Sequence, residues 1–153
     1  MQKIVPFLWF DANAEEAVNF YVSVFKSATI KDVSRYGDAG PGPKGTVMVA
    51  RFEVDGQEFM ALNGGPHFKF TEAVSFVVQC KDQKEIDYYW EALSAGGQKV
   101  QCGWLKDRFG LSWQVVPENM GALMKPKDPA KAARAMAAMM QMTKIDIEAL
   151  KNA

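Results

Sequence analysis

Histidine and cysteine are scarce: the 153 residues hold one His and two Cys. Cys80 and Cys102 cannot build a disulfide framework, and their spacing fits no zinc motif. Any imidazole chemistry must use His67, with no second histidine to assist. An excess of either charge is also missing. Lys plus Arg and Asp plus Glu number 18 each, so the formal net charge is zero. Nothing electrostatic therefore favours a nucleic-acid backbone or an anionic membrane as partner. No apolar run approaches the roughly 20 residues of a membrane span. The opening Met1-Gln-Lys-Ile-Val-Pro6 lacks the apolar core of a signal peptide. No Gly-x-Gly turn joins a strand to a helix, so neither a dinucleotide nor an adenosyl cofactor is expected. The expectation is a cytoplasmic, reduced, single globular domain without cofactor.

What is present is an order of elements that recurs. Ile4–Phe10 is a short apolar run that reads as a strand. Asp11-Ala-Asn13 can cap a helix over Ala14–Phe25, with Ala17, Phe20, Tyr21, Val24 and Phe25 facing inward. Thr29–Tyr36 is a second strand. Gly37–Gly45, with four glycines and two prolines, is a loop. Thr46–Val54 and Gln57–Leu62 form a hairpin across Asp55-Gly56. The order then repeats: a strand over Val74–Cys80, a helix capped by Asp82 and stopped by Gly96-Gly97, then strands over Lys99–Lys106 and Leu111–Val116. After Pro117 the character changes. Asp128-Pro129 opens an Ala- and Met-rich helix over Ala130–Met142, and Ile145–Leu150 makes a short last helix. The reading is one domain, with a first module at 1–66, a second at 67–117 and a helical tail at 118–153.

Several segments carry a likeness: Phe7-Leu-Trp-Phe-Asp11, Phe20-Tyr21, the stretch Phe59–Phe68 with Asn63-Gly-Gly-Pro-His67, and Cys102-Gly-Trp through Trp113-Gln114. Together they resemble the PhnB-like branch of the vicinal oxygen chelate superfamily, the glyoxalase, bleomycin-resistance and extradiol-dioxygenase group. Members of that branch often carry the label 3-demethylubiquinone-9 3-methyltransferase. The resemblance is read over nearly the whole chain, tail included. It implies an α+β fold in which two βαβββ modules form an eight-stranded, cup-shaped mixed sheet, followed here by C-terminal helices. Metal-dependent members place His, Gln or Glu on the first and last strands of each module. Those positions fall here near Ile4, near Leu62 or Asn63, near Ser75, and at Gln114. Gln2 or Lys3 would reach the first only through a slipped register. No metal is therefore expected at the cup centre, with a metal held through His67 as the alternative.

Trp9, Asn63, Trp104, Trp113 and Gln114 are expected to line one ligand pocket, since tryptophans stack on planar molecules and terminal amides direct hydrogen bonds. Ordinary core packing is the competing reading for the tryptophans, and it is preferred for Trp90. The candidates for catalysis are His67 and Cys102, weighed against a loop histidine and a packing thiol. Asp107 and Arg108 read as turn residues with a surface ion pair, and Glu53 and Glu58 as solvated. The stripe Ala133, Met136, Ala137 and Met140 predicts a homodimer contact. The function expected is that of a metal-independent enzyme acting on a small, partly aromatic or amphipathic molecule. The alternatives are a non-catalytic binding protein of the bleomycin-resistance type and a metal enzyme with atypical ligands. The methyltransferase label finds no cofactor motif to support it.

Overall fold

The computed structural model describes residues 2–153. The chain divides into two compact units, Met1–Phe70 and Thr71–Ala153.

The first unit runs β1 (Phe7–Phe10), α1 (Ala14–Val24), β2 (Ala28–Arg35), β3 (Val47–Val54) and β4 (Gln57–Asn63). Its mixed sheet has the order β1-β4-β3-β2, with β1 parallel to β4 and the other pairs antiparallel. β1 starts three residues later than the apolar run. Ile4 is 83% exposed and lies before the strand, and the Pro6 carbonyl, just ahead of it, accepts from the Met60 amide. The β3–β4 turn follows from its residues: Asp55 (φ 48°) and Gly56 (φ 84°) both take the left-handed backbone that a two-residue hairpin needs. Strand alternation sends Leu8, Phe10, Ala50, Phe52, Phe59 and Ala61 to one face, where they are buried. Helix α1 covers that face with Ala14, Ala17, Val18, Tyr21 and Val24, and Tyr21 stacks on Phe52. Burying such side chains contributes about 1.5–3 kcal/mol each. The opposite, helix-free face carries Phe7, Trp9, Val49, Arg51, Glu58, Met60 and Leu62.

The second unit runs β5 (Ser75–Cys80), α2 (Gln83–Ser94), β6 (Gln98–Lys99), β7 (Trp104–Lys106) and β8 (Ser112–Pro117), then α3 (Met120–Met124), α4 (Pro129–Met140) and α5 (Ile147–Lys151). The sheet order β5-β8-β7-β6 repeats the first, again with one parallel pair, β5 with β8. The α+β class and both βαβββ modules are thus as expected. One element is corrected. Residues 99–106 are not one strand but two short ones, because Cys102 (φ 59°) and Gly103 (φ 82°) turn the chain back. That split supplies the module's missing strand. Gly97 explains the entry into β6: a Cβ there would lie 2.2 Å from the Lys106 carbonyl oxygen. Ile86, Trp90 and Leu93 of α2 bury against the face that carries Leu105, Trp113 and Val115. The other face carries Ser75, Val77, Trp104, Lys106, Ser112 and Gln114.

The tail holds three helices where two were expected, α3 being the addition. It is anchored within the second unit. The Cys102 and Gly103 amides donate to the Met142 and Thr143 carbonyls, and Gln83 grips the backbone at Ile145 (2.9 Å) and Ile147 (2.9 Å). Ala135, Ile145 and Leu150 are buried. The α4 stripe faces outward: Met136 is 48% and Met140 56% exposed, and Ala133 and Ala137 are exposed beside them. Among the described residues no helix is long and apolar enough to cross a membrane.

Candidate functional site

In the first unit, Asn63 ends β4 on the α1 side of the sheet. Its Oδ1 accepts from the Ala14 amide (2.8 Å) and its Nδ2 donates to the Val47 carbonyl (3.0 Å). Its own carbonyl accepts from the Tyr36 hydroxyl (2.6 Å). Asn63 therefore caps α1 from 49 residues away, the role expected of Asp11-Ala-Asn13; the side chain of Asn13, at the N-cap position, makes no cap bond. Beyond Asn63 the chain runs Gly64-Gly65-Pro66-His67. Trp9 fixes this loop from the helix-free face: its indole N–H donates to the Gly65 carbonyl (2.9 Å) and its ring meets Phe68 edge-on. Gly64 lets the ring in, since a Cβ there would sit 2.4 Å from the indole. The loop forms one wall of a cavity of about 450 Å³, and the segment Pro41-Gly-Pro43 forms another. Asn63 and His67 both line it, as do Asp11, Tyr36 and Thr46, none of which the sequence reading selected. His67 is exposed and has no hydrogen-bonding or ionic partner among the described residues.

In the second unit, Trp104 and Gln114 are cross-strand partners on the helix-free face, whereas Trp113 is buried on the α2 face. The Trp113 N–H donates to Asp107 Oδ2 (2.9 Å), and Asp107 Oδ1 accepts from the Phe109 (2.9 Å) and Leu111 (3.0 Å) amides. Asp107, read as a surface turn residue, is 3% exposed and organises the β7–β8 turn. The Gln114 amide donates to Ser75 Oγ (2.9 Å). Of the five expected pocket residues, Trp9 and Asn63 thus lie on opposite faces of one sheet, and Trp113 and Gln114 on opposite faces of the other. The Trp104 indole N–H and the Gln114 side-chain carbonyl are without a partner among the described residues.

Two further polar atoms on the helix-free faces are buried without a partner among the described residues: Glu58 Oε2 in the first unit and Ser112 Oγ in the second. Glu58, expected to be solvated, pairs through Oε1 with Arg51 (3.2 Å). Cys102, placed by the sequence on a strand, stands in the β6–β7 turn, and its Sγ lies 3.5 Å from the Met139 carbonyl. Burial, with the charges of Glu85 and Asp82, pushes the Cys80 thiol up to about 12, so it is no nucleophile at neutral pH.

The donor set does not fit the metal that the fold type can hold. Ile4 lies outside the sheet, and Ser75 and Gln114, joined through the Gln114 amide N–H, are neutral groups that bring no imidazole or carboxylate donor. Among the described residues no three His, Cys, Asp or Glu side chains come together as a metal site would require.

Two βαβββ modules with these sheet orders define an α+β protein of the vicinal oxygen chelate fold. The family model described as 3-demethylubiquinone-9 3-methyltransferase matches residues 2–116, and the chain belongs to that PhnB-like family. A PhnB protein from Bacillus cereus is 41% identical, with a TM-score of 0.70 over 75% of this chain and 99% of that one. Protein PA1353 from Pseudomonas aeruginosa is 26% identical, with a TM-score of 0.64 over 76% of this chain and 98% of that one. The fosfomycin resistance protein FosX from Listeria monocytogenes, solved with Mn(II) and sulfate, shares the fold at 16% identity and a TM-score of 0.52, over 76% of this chain and 91% of that one. A search of curated proteins found no match. The likeness stops short of the reach expected from the sequence: the tail lies outside the family match.

Proposed function

We propose that the protein binds small, partly aromatic molecules on the helix-free sheet face of a unit and does so without a metal. One observation carries this reading. Each sheet presents, on that face, an indole and a buried polar atom that lacks a partner among the described residues: Trp9 and, four residues along β4 from its cross-strand partner Leu62, Glu58 in the first; Trp104 and its diagonal neighbour Ser112 in the second. Buried polar atoms are nearly always hydrogen-bonded, and a ligand is a ready source of the missing bond. Binding without turnover is the form best supported. Neither cysteine is set up as a nucleophile, and Asn63, Trp9 and Trp113 spend their polar groups on the fold. A metal-independent reaction using His67 is the second reading, favoured by that side chain's lack of a partner at a cavity wall. The methyltransferase description gains no support from a cofactor-binding turn. The further parts of the reading are a cytoplasmic location and a homodimer through the exposed α4 stripe.

The test begins with metal analysis of protein purified without added metal, then thermal shift against a panel of planar metabolites. Ligands that raise Tm in the parent, but not in Trp104→Ala or Glu58→Gln, support the site. Stoichiometric zinc, nickel, iron or manganese, or hits that both variants keep, would overturn it. Turnover of a hit that disappears in His67→Gln would establish the enzymatic reading over the binding one.

A further inference from the structure

The cavity in the first unit has a chemistry of its own. Most polar side chains on its wall are spent: the Tyr36 hydroxyl on the Asn63 carbonyl (2.6 Å), the Asn63 amide on Ala14 and Val47, and the Thr46 hydroxyl on the Pro43 carbonyl (2.6 Å). Asp11 and His67 are the two ionisable side chains on the wall left without a partner among the described residues. Of the cations close in sequence to the wall residues, two are committed elsewhere, whereas Lys69, two residues beyond His67, is exposed without a partner among the described residues. Arg35 makes a two-pronged pair with Glu15 (3.1 and 3.2 Å), and Lys44 pairs with Asp38 (3.0 Å). The N-terminus of α1 offers little positive potential, since Asn63 caps it and Glu15 and Glu16 occupy its first turn. Asp11, an exposed residue of the lining, thus brings a carboxylate with no ionic partner among the described residues to the rim of a space walled by Pro41, Pro43 and Pro66. The walls are held in shape. A Cβ on Gly40 or Gly42 would come within 2.6 or 2.4 Å of the Tyr36 ring, so both glycines are seated on that ring.

We infer that this cavity binds a small organic cation, an amine on an apolar body, with Asp11 taking the charge and the His67 ring closing one side. The site is separate from the sheet faces and does not depend on the reading given for them. Charge complementarity decides the ligand class: an anion would meet the carboxylate without compensation, and a neutral isostere would forgo a charge-assisted hydrogen bond.

His67 is the chain's only histidine, so its ring C–H resonances report on the site without ambiguity. The probes are benzylamine, benzyl alcohol and benzoate, titrated into the intact protein and followed by NMR. Benzylamine is expected to shift the His67 signals saturably, benzyl alcohol at least about tenfold more weakly, and benzoate not at all. Asp11→Asn should weaken benzylamine by at least about tenfold with an unchanged circular dichroism spectrum, and Asp11→Glu should restore part of the loss. Equal binding of the alcohol, preference for benzoate, full binding by Asp11→Asn, or no saturable shift at tens of millimolar benzylamine would each overturn the proposal. If Asp11→Asn does not fold, the comparison of the three probes on the parent protein decides alone.

Discussion

In the first module the N-terminus of α1 is capped from a distant strand by Asn63; in the second, α2 is capped by its own Asp82, whose Oδ1 accepts from the Glu85 amide (2.9 Å). The modules also use different chemistry at their organising turns. The first relies on a neutral amide with one bond in and one bond out. The second relies on a carboxylate, Asp107, that accepts three bonds in a buried place. One strand order can thus be held together by different side chains, and the difference has consequences for the site. The module organised by an amide keeps a long, glycine-rich loop and a cavity. The module organised by a charge has a short turn there, and it is the one on which the tail docks.

The largest expected effect tests the charged organiser. Asp107→Ala leaves the Trp113 indole and two turn amides without their acceptor, which should cost about 3–5 kcal/mol. Urea unfolding followed by tryptophan fluorescence measures it. A loss below about 1 kcal/mol would mean that solvent reaches the three donors and that Asp107 does not organise the turn.

Next comes its counterpart. Asn63→Ala removes the remote cap and the bond to Val47, an expected loss of about 1–3 kcal/mol. Asn63→Asp keeps the acceptor for the Ala14 amide, strengthened by its charge at the helix N-terminus, but sets its other oxygen against the Val47 carbonyl; with the cap as the larger contribution it should retain more stability than alanine. Thermal melts of the two variants settle the order. If Asn63→Ala costs as much as Asp107→Ala, the contrast between the modules fails.

These two residues also show where the sequence could be read and where it could not. Helices α1 and α2 were legible from apolar spacing, and the β3–β4 hairpin from Asp55-Gly56, because each of those signals is local. Asn63 as a cap was not legible, since its partner is 49 residues away and nothing near Asn63 marks it. Asp107 carried a correct turn signal, yet its burial depends on Trp113 and on packing that spacing cannot express. The break inside 99–106 was hidden because a cysteine, not a second glycine, occupies the left-handed position before Gly103. The α4 stripe was visible as apolar, but its direction was not. Ala135 is the residue small enough to bring the helix close, which turns the methionines outward. For the candidate site, the sequence selected His67 and Asn63 and missed Asp11, Tyr36 and Thr46, which join them at the cavity only because β1, β2 and β4 end there and β3 begins there.

The smallest expected effect concerns the tail, which the second module has and the first lacks. Lys144 Nζ lies 2.8 Å from Asp87 Oδ1, next to the Gln83 side chain that holds the tail backbone. The hydrogen bond from Lys144, then that from Gln83, hold the Asp87 carboxyl below the ordinary value of 3.8. A carboxyl whose folded value is depressed contributes stability that is fully present above the unfolded value, and the contribution is lost as pH falls through the folded one. The Asp87 and Lys144 side chains are 48% and 39% exposed, so screening limits the contribution to about 0.2–1 kcal/mol. Asp87→Asn keeps an acceptor for Gln83 while removing the charge. The parent should therefore be slightly more stable than Asp87→Asn at neutral pH, and the gap should close as pH falls through the depressed folded value. Urea midpoints of the two proteins across that range measure it, and added salt should shrink the gap at neutral pH. A gap that persists unchanged in acid would show that the pair's charge contributes nothing to holding the tail, leaving Gln83 and the buried Ile145 and Leu150 to do so.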